Sequence, residues 1–326
     1  MLNLFRQNNA FAALILVLIA VLLKLPVFLY PHQYEFIQTA PLANTAFTYI
    51  RSLPNPLFLS YLIASLLIIF QGIFLNYIVV QHSILHKDTF LPGLFFILLN
   101  SIYPQQAELT PQLISNTFIV LMFQRLCFLY ESPNPLLIVL DAGMYLGVAL
   151  LFNYDVAVFL PFILISVVIF TSFNFRYLAL SIIGIAIPLY FAAVVFYLNN
   201  ELTMVIQFTQ QSFQRTLLTS TFGGYDLLFP VIIIFPIVFI STFNLQLNFF
   251  RNKVKTRRIL KSVALLFFFG ALGLVIENTN FLYALFYLSI PLSIVMAYFF
   301  ISTERRIIKE LLIVALIGLS IYYNLR

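Results

Sequence analysis

Two carboxylates lie in short polar stretches that directly follow apolar runs. Glu35 falls in residues 30–56, three positions after His32, and Glu108 falls in residues 103–111. Residues three apart share a face of a helix, so His32 could orient the carboxylate of Glu35 as a general base or metal ligand. The alternative is that both are solvated loop residues. These stretches are the first candidates for chemistry.

The stretch YPQQAELTP carries further polar groups beside Glu108. Gln105 and Gln106 add side-chain amides able to bind hydroxyl or amide groups. Thr110 followed by Pro111 predicts a helix start, because threonine caps helices and proline suits the first helical position. A carboxylate just before a helix also interacts favourably with the positive end of its dipole. A purely structural role for Glu108 is therefore the alternative.

Residues 201–226 repeat glutamines at helical spacing, with Met and Phe among them. This pattern predicts an amphipathic helix lying on the outer membrane surface. Gln211 is a candidate for binding sugar hydroxyls, and Arg215 is a candidate for binding a lipid phosphate. An interfacial helix without any ligand explains the same pattern.

Two further acids are associated with shorter apolar runs: one follows such a run and the other lies inside it. Asp155 follows a turn, NYD, and could cap the next helix; we also include it among the candidate substrate-binding residues. Asp141 lies within a run that contains Gly143 and Gly147, whose spacing favours close helix packing. A charge in the middle of a span is costly, so Asp141 is expected to face a polar interior or the inner surface.

The sequence does not indicate a metal centre. His82 and His86 have a spacing compatible with a metal on a helix, but no third ligand is evident beyond Asp88. We interpret them as residues at the membrane interface. The single Cys127 lies in an apolar run and is interpreted as a small buried hydrophobic residue.

Membrane-spanning helices must position these residues. The chain is 62% hydrophobic and 9% charged, whereas soluble domains carry about 25% charged residues. Runs of about 20 apolar residues cross a hydrocarbon core, and they recur along this chain. We predict an all-α, polytopic bundle of about 11 spans, at residues 9–30, 57–80, 89–103, 111–130, 136–152, 156–173, 177–198, 227–248, 259–276, 280–301 and 310–325. Spans 89–103 and 136–152 are short enough to be re-entrant or broken.

The distribution of charge predicts the orientation of the chain. If the N-terminus is cytoplasmic, most of the 17 lysines and arginines fall in inner loops, including the run at residues 251–261. This is the positive-inside pattern, so we predict an N-in, C-out topology. The basic residues flank apolar spans, so they indicate contact with anionic membrane lipids and not with nucleic acid. Most of the acids, including the two loop carboxylates, then lie outside.

The layout of the first half of the chain resembles a known class of membrane enzyme. A first helix leads to a polar loop with an acid, a short second outer turn carries another, and LTPQLISN and YLGVALLFNYD follow. This resembles the membrane core of the C-type (GT-C) glycosyltransferases, and it also resembles an uncharacterised group of polytopic bacterial inner-membrane proteins. The resemblance implies a core at residues 1–175 with outer loops 31–56 and 103–111. Residues 176–326 then add further spans and the outer stretch 199–226 to a single integral membrane domain, 1–326.

The resemblance implies sugar transfer from a polyprenyl-phosphate donor at the outer face of a bacterial inner membrane, in envelope glycan assembly. The catalytic roles would fall on Glu35 and Glu108. The chemistry of the family allows a divalent cation, which the sequence does not require. Two alternatives stay open: a non-catalytic membrane subunit of an envelope assembly or secretion complex with other envelope membrane proteins, and a transporter of lipid or polysaccharide.

Overall fold

The chain folds into α-helices that pack around one hydrophobic core. The computed structural model describes residues 5, 10–29, 40–214, 228–276, 281–303 and 306–325. Over these residues the α-helices are α1 Ala10–Leu29, α2 Pro41–Arg51, α3 Pro56–Gln81, α4 Leu91–Leu99, α5 Pro111–Phe128, α6 Pro135–Phe152, α7 Leu160–Thr171, α8 Phe175–Leu198, α9 Leu202–Gln214, α10 Leu228–Leu247, α11 Val254–Ile276, α12 Phe281–Ser302 and α13 Arg306–Leu325. Short 3-10 helices at Pro104–Ala107 and Tyr154–Phe159 precede α5 and α7.

The helix starts follow from local sequence. Helices α2, α3, α5 and α6 each begin at a proline, whose missing N–H costs nothing at this position. The Thr110 side chain accepts a hydrogen bond from the backbone N–H of Leu113 at 3.2 Å, which confirms the predicted cap of α5. The Asn174 side chain accepts from the N–H of Arg176 at the start of α8 in the same way.

The protein is a multi-pass membrane protein. Within the described residues, seven helical segments are long and apolar enough to cross a bilayer: α1, α3, α6, the 154–159 helix with α7, α8, α10 and α12. Helix α5 matches α6 in length but places polar Gln112, Ser115 and Asn116 in the protein interior. The predicted number of eleven spans and their orientation stay predictions.

The two short predicted spans, 89–103 and 136–152, form helices of very different length in the structure. Helix α4 has nine residues, all of them buried, and at 1.5 Å per residue it is about 14 Å long. It is therefore an interior helix of less than half the bilayer thickness, packed between α3 and α12. Helix α6 has 18 residues and is a full-length helix.

Helices α6 and α8 pack with almost no space between their backbones. A Cβ atom built on Gly147 would lie 2.5 Å from the carbonyl oxygen of Ile185, and one on Gly143 would collide with the carbonyl oxygen of Ser181. The predicted close helix packing at these glycines is thus confirmed. Nearby Asp141 pairs with Arg125 of α5 at 3.5 Å, and both side chains are over a third exposed.

A buried polar network joins α3 to α5 in the middle of the bundle. The Gln71 side-chain amide donates to the carbonyl oxygen of Leu113 at 3.0 Å and to the Thr117 hydroxyl at 2.6 Å. The Asn116 amide in turn donates to the side-chain oxygen of Gln71 at 3.0 Å. Side-chain hydrogen bonds of this kind contribute to helix association inside membranes.

The basic run after α10 is more helical than expected. Helix α11 begins at Val254, five residues before the predicted span at residues 259–276, because lysine and arginine favour helices although they are not apolar. Arg258 in its second turn donates to the carbonyl oxygen of Phe170 and lies 4.9 Å from the centre of the Tyr130 ring. Arg258 of the basic run therefore packs against the rest of the bundle.

Candidate functional site

Two polar turns predicted from the sequence, at residues 103–111 and 153–155, lie at one end of the bundle. Val27 near the end of α1, Tyr61 near the start of α3 and Ala107 pack in one small apolar cluster. The rings of Tyr103 and Tyr323, near the end of α13, lie 5.1 Å apart. The Pro104–Ala107 helix packs against α1, α3 and α12. We call this the Glu108 end of the bundle.

Backbone and side-chain bonds hold the turn around Glu108 in place. The backbone N–H of Tyr103 donates to the side-chain oxygen of Gln106 at 3.4 Å. The N–H of Leu109 donates to the hydroxyl of Ser60 in α3 at 3.0 Å. Glu108 lies between these two anchors and is 6% exposed. Gln106 is fully buried beside it, whereas Gln105 is half-buried.

The turn after α6 lies at the same end. The Asn153 amide donates to the hydroxyl of Tyr287 in α12 at 2.9 Å, and its side-chain oxygen accepts from the N–H of Asp155 at 3.2 Å. Asn153 therefore caps the 154–159 helix, in place of the expected cap by Asp155. Asp155 is half-buried in the first turn of that helix.

The structure does not describe the side chains of the other predicted site residues. His32, Glu35 and Arg215 lie outside the described residues. Gln211 lies in α9, the predicted amphipathic helix, but its side chain is not among those described. Helix α9 packs against α2, α8 and the 154–159 helix. The described part of the site is thus Gln105, Gln106 and Glu108 on one turn, with Asp155 on a second.

An apolar groove runs along α10, α11 and α12 toward this end. Helices α10 and α11 each pack on α12 and leave a gap that contains two cavities of about 270 and 220 Å³. Both cavities are lined by Val238 of α10 and Phe267 of α11, so they are neighbours along the same gap. We call it the α10–α11 groove.

The two ends of the α10–α11 groove differ in character. Its first end is lined by Ile102 and Tyr103, which directly precede the Pro104–Ala107 helix. Its other end is lined by Gln246 and Lys261, and Lys261 is exposed. Between them the lining is apolar except for Ser289 and Thr242. The sequence did not indicate this groove, because the residues that line it are mostly apolar, as in any membrane-spanning helix.

Metal binding is not supported by the described side chains. Over the ranges given above, no three His, Cys, Asp or Glu side chains lie close enough together to hold a metal ion. His82 directly follows the last residue of α3 and His86 lies in the turn after it, so the two do not share a helix. The His82 ring instead packs edge-on against Phe128 at 4.5 Å.

The fold defines the class of protein: an α-helical membrane protein with a GT-C-like fold. The chain is similar to the archaeal oligosaccharyltransferase AglB from Archaeoglobus fulgidus, solved in complex with an inhibitory peptide and a dolichol-phosphate, with a TM-score of 0.56 and 8% sequence identity. The match covers 96% of this chain and 55% of AglB, so the chain spans about half of that protein. At this identity the likeness shows the fold alone.

Residues 46–326 match the model of a family of unknown function, DUF6427. The chain belongs to this family. No curated protein matches it.

Proposed function

We propose that this protein transfers a sugar from a polyprenyl-phosphate donor in envelope glycan assembly, at the outer face of a bacterial inner membrane. The observation that carries the proposal is that the α10–α11 groove ends at Tyr103, directly before the turn that holds Gln105, Gln106 and Glu108. An isoprenoid tail in the groove would have its head group near this polar turn. The GT-C-like fold supports the same class of reaction.

In this proposal Glu108 and Glu35 are the carboxylates that act on the acceptor. One of them takes the proton of the acceptor hydroxyl, and the hydroxyl oxygen forms a bond to the anomeric carbon of the sugar. The bond between that carbon and the phosphate oxygen breaks, and the polyprenyl phosphate leaves with the electron pair. Burial of Glu108 excludes bulk water, which strengthens electrostatic interactions with a bound substrate.

The remaining candidate residues would position the substrate. Gln105, Gln106 and Gln211 have amides suited to sugar hydroxyls, and Arg215 would bind a phosphate oxygen. His32 and Asp155 complete the proposed set. In the predicted N-in, C-out topology all of these residues would lie on the outer side.

The test is replacement of Glu108 and of Glu35 by Gln, followed by analysis of envelope glycans in cells that lack the wild-type protein. Each variant is expected to lose the glycan at a normal protein level, because an amide accepts no proton in this pH range. Glu201→Gln is the matched control, because Glu201 is an exposed acid between α8 and α9. Wild-type glycans in both site variants would contradict the proposal.

A non-catalytic membrane subunit is the second candidate function. Helix α8 exposes a broad apolar surface, including Tyr190, Phe191 and Tyr197, each more than 60% exposed. Such a surface suits lipid and also suits a neighbouring membrane protein. Purification in mild detergent with stoichiometric partner proteins, together with normal glycans in Glu108→Gln, would favour this function over the transferase.

A further inference from the structure

Lys24 is a buried amine for which the described residues provide no hydrogen-bond partner. It lies in α1, five residues before the helix ends at Leu29, and is 2% exposed. Its Nζ atom has no hydrogen-bond partner in the part of the chain that the structure describes. An ammonium group buried without a counter-charge is strongly unfavourable. Lys24 therefore points to an anionic group that the described residues do not supply.

The position of Lys24 is beneath the Pro104–Ala107 helix. It lies one turn before Val27, which packs with Ala107 in the cluster at the Glu108 end. Helix α13 packs on α1 and also ends at the Glu108 end. Ser320 lies five residues before the end of α13 and donates to the carbonyl oxygen of Ser101. Lys24 and Ser101 are therefore at similar depths below the turn.

Two further buried donors lie in, or just before, the Pro104–Ala107 helix. The hydroxyl of Ser101 and the side-chain nitrogen of Gln106 also have no hydrogen-bond partner among the described residues. Ser101 is 3% exposed and Gln106 is fully buried. Buried polar groups in native proteins are nearly always hydrogen-bonded, and a bound group that accepts hydrogen bonds would satisfy these three donors. A cation with two neutral donors is typical of a site for a phosphate.

We infer that Lys24, with Ser101 and Gln106, binds the phosphate group of a lipid-linked substrate beneath the Pro104–Ala107 helix. The assignment of this phosphate to a lipid rests on the proposed function. A free phosphate ion has the same chemistry, so the two sources have to be separated by experiment. Tyr103, which lines the α10–α11 groove, is adjacent in sequence to the turn and links the site to a path for a lipid tail.

The experiment measures ligand-induced changes in melting temperature on the purified full-length protein in detergent. The probes are farnesyl phosphate, farnesol and inorganic phosphate. Farnesyl phosphate at roughly 100 times its Kd is expected to raise the Tm of the wild type by about 5 °C. Lys24→Arg should keep part of this shift, and Lys24→Met should lose it. Lys87→Met is the matched control and should keep it, because Lys87 is an exposed lysine between α3 and α4 that lines neither cavity of the groove.

Each shift is compared with the ligand-free Tm of the same variant, because Lys24→Met removes a buried charge and is itself expected to be stabilising. An equal shift in Lys24→Met and wild type would overturn the inference, and so would an equal shift with farnesol. A Lys24-dependent shift with inorganic phosphate alone would support the site and assign it to free phosphate.

Two combinations of results distinguish the phosphate site from the transferase activity. A Lys24-dependent shift combined with normal glycans in Glu108→Gln supports the phosphate site and contradicts the transferase. Lost glycans in Glu108→Gln combined with a full shift in Lys24→Met support the transferase and overturn the phosphate site.

Discussion

The side-chain amide of Asn153 and the hydroxyl of Tyr287 are 2.9 Å apart, although 134 residues separate them in sequence. This hydrogen bond joins the turn after α6 to the first half of α12. The Tyr287 ring also packs edge-on against Phe159 at 5.6 Å. Two turns of the Glu108 end are thus held by α12, which also forms the floor of the α10–α11 groove.

Tyr287→Phe removes the hydroxyl and keeps the ring. We expect the protein to lose about 1 kcal/mol of stability, the typical value for one buried hydrogen bond. Thermal unfolding in detergent measures this loss. Tyr190→Phe is the control, because Tyr190 is 67% exposed. Equal effects of the two changes would show that the bond to Asn153 contributes nothing.

Gly147→Ala tests the contact between α6 and α8. The new methyl group would lie 2.5 Å from the carbonyl oxygen of Ile185, so the helices must separate, at a cost of about 1–3 kcal/mol. Gly318→Ala is the control, because nothing lies within 4 Å of a Cβ atom there, and alanine favours the helix by up to about 1 kcal/mol. The lower Tm is expected only for Gly147→Ala. A Tm as high as that of Gly318→Ala would disprove the close contact.

Val238→Trp tests the α10–α11 groove at a residue that lines both of its cavities. The larger side chain should divide the groove and weaken binding of a fluorescent polyprenyl phosphate at least about tenfold, or about 1.4 kcal/mol. Val314→Trp carries the same change on a surface position that is 65% exposed and should bind normally. Equal affinities of these variants would show that the groove does not hold the lipid tail.

The predicted orientation is testable with single cysteines in a Cys127→Ala background, since native Cys127 is buried. Ser52 after α2 and Lys87 between α3 and α4 are both exposed. An N-in topology predicts that a membrane-impermeant maleimide labels Ser52→Cys in intact spheroplasts and labels Lys87→Cys only after lysis. The reverse pattern would invert the topology and place Glu108 in the cytoplasm.

Much of the fold could be predicted from the sequence, because span length and helix boundaries are local properties. The apolar run at residues 57–80 became α3, Pro56–Gln81, and the Thr110-Pro111 start of α5 was found as expected. The start of α11 was missed because hydropathy records only the apolar part of a helix. The cap at Asn153 was missed because asparagine and aspartate cap helices equally well.

The candidate site could be predicted only in part. The spacing in YPQQAELTP placed Gln105, Gln106 and Glu108 on one turn, which the structure shows anchored to α3. The α10–α11 groove could not be predicted, because it depends on how α10 and α11 pack on α12. The burial of Lys24 could not be predicted either, because it depends on which helices pack on α1, and one of these, α13, lies nearly 300 residues further along the chain.

The short helix α4 has a consequence for how the protein is made. Its nine residues are too few to enter a bilayer as an independent span, and they pack against α12, which leaves the ribosome almost 200 residues later. Until then α4 can pack on the earlier helices α3 and α1. Synthesis of α12 therefore covers a second side of α4, and the same helix carries Tyr287 to Asn153.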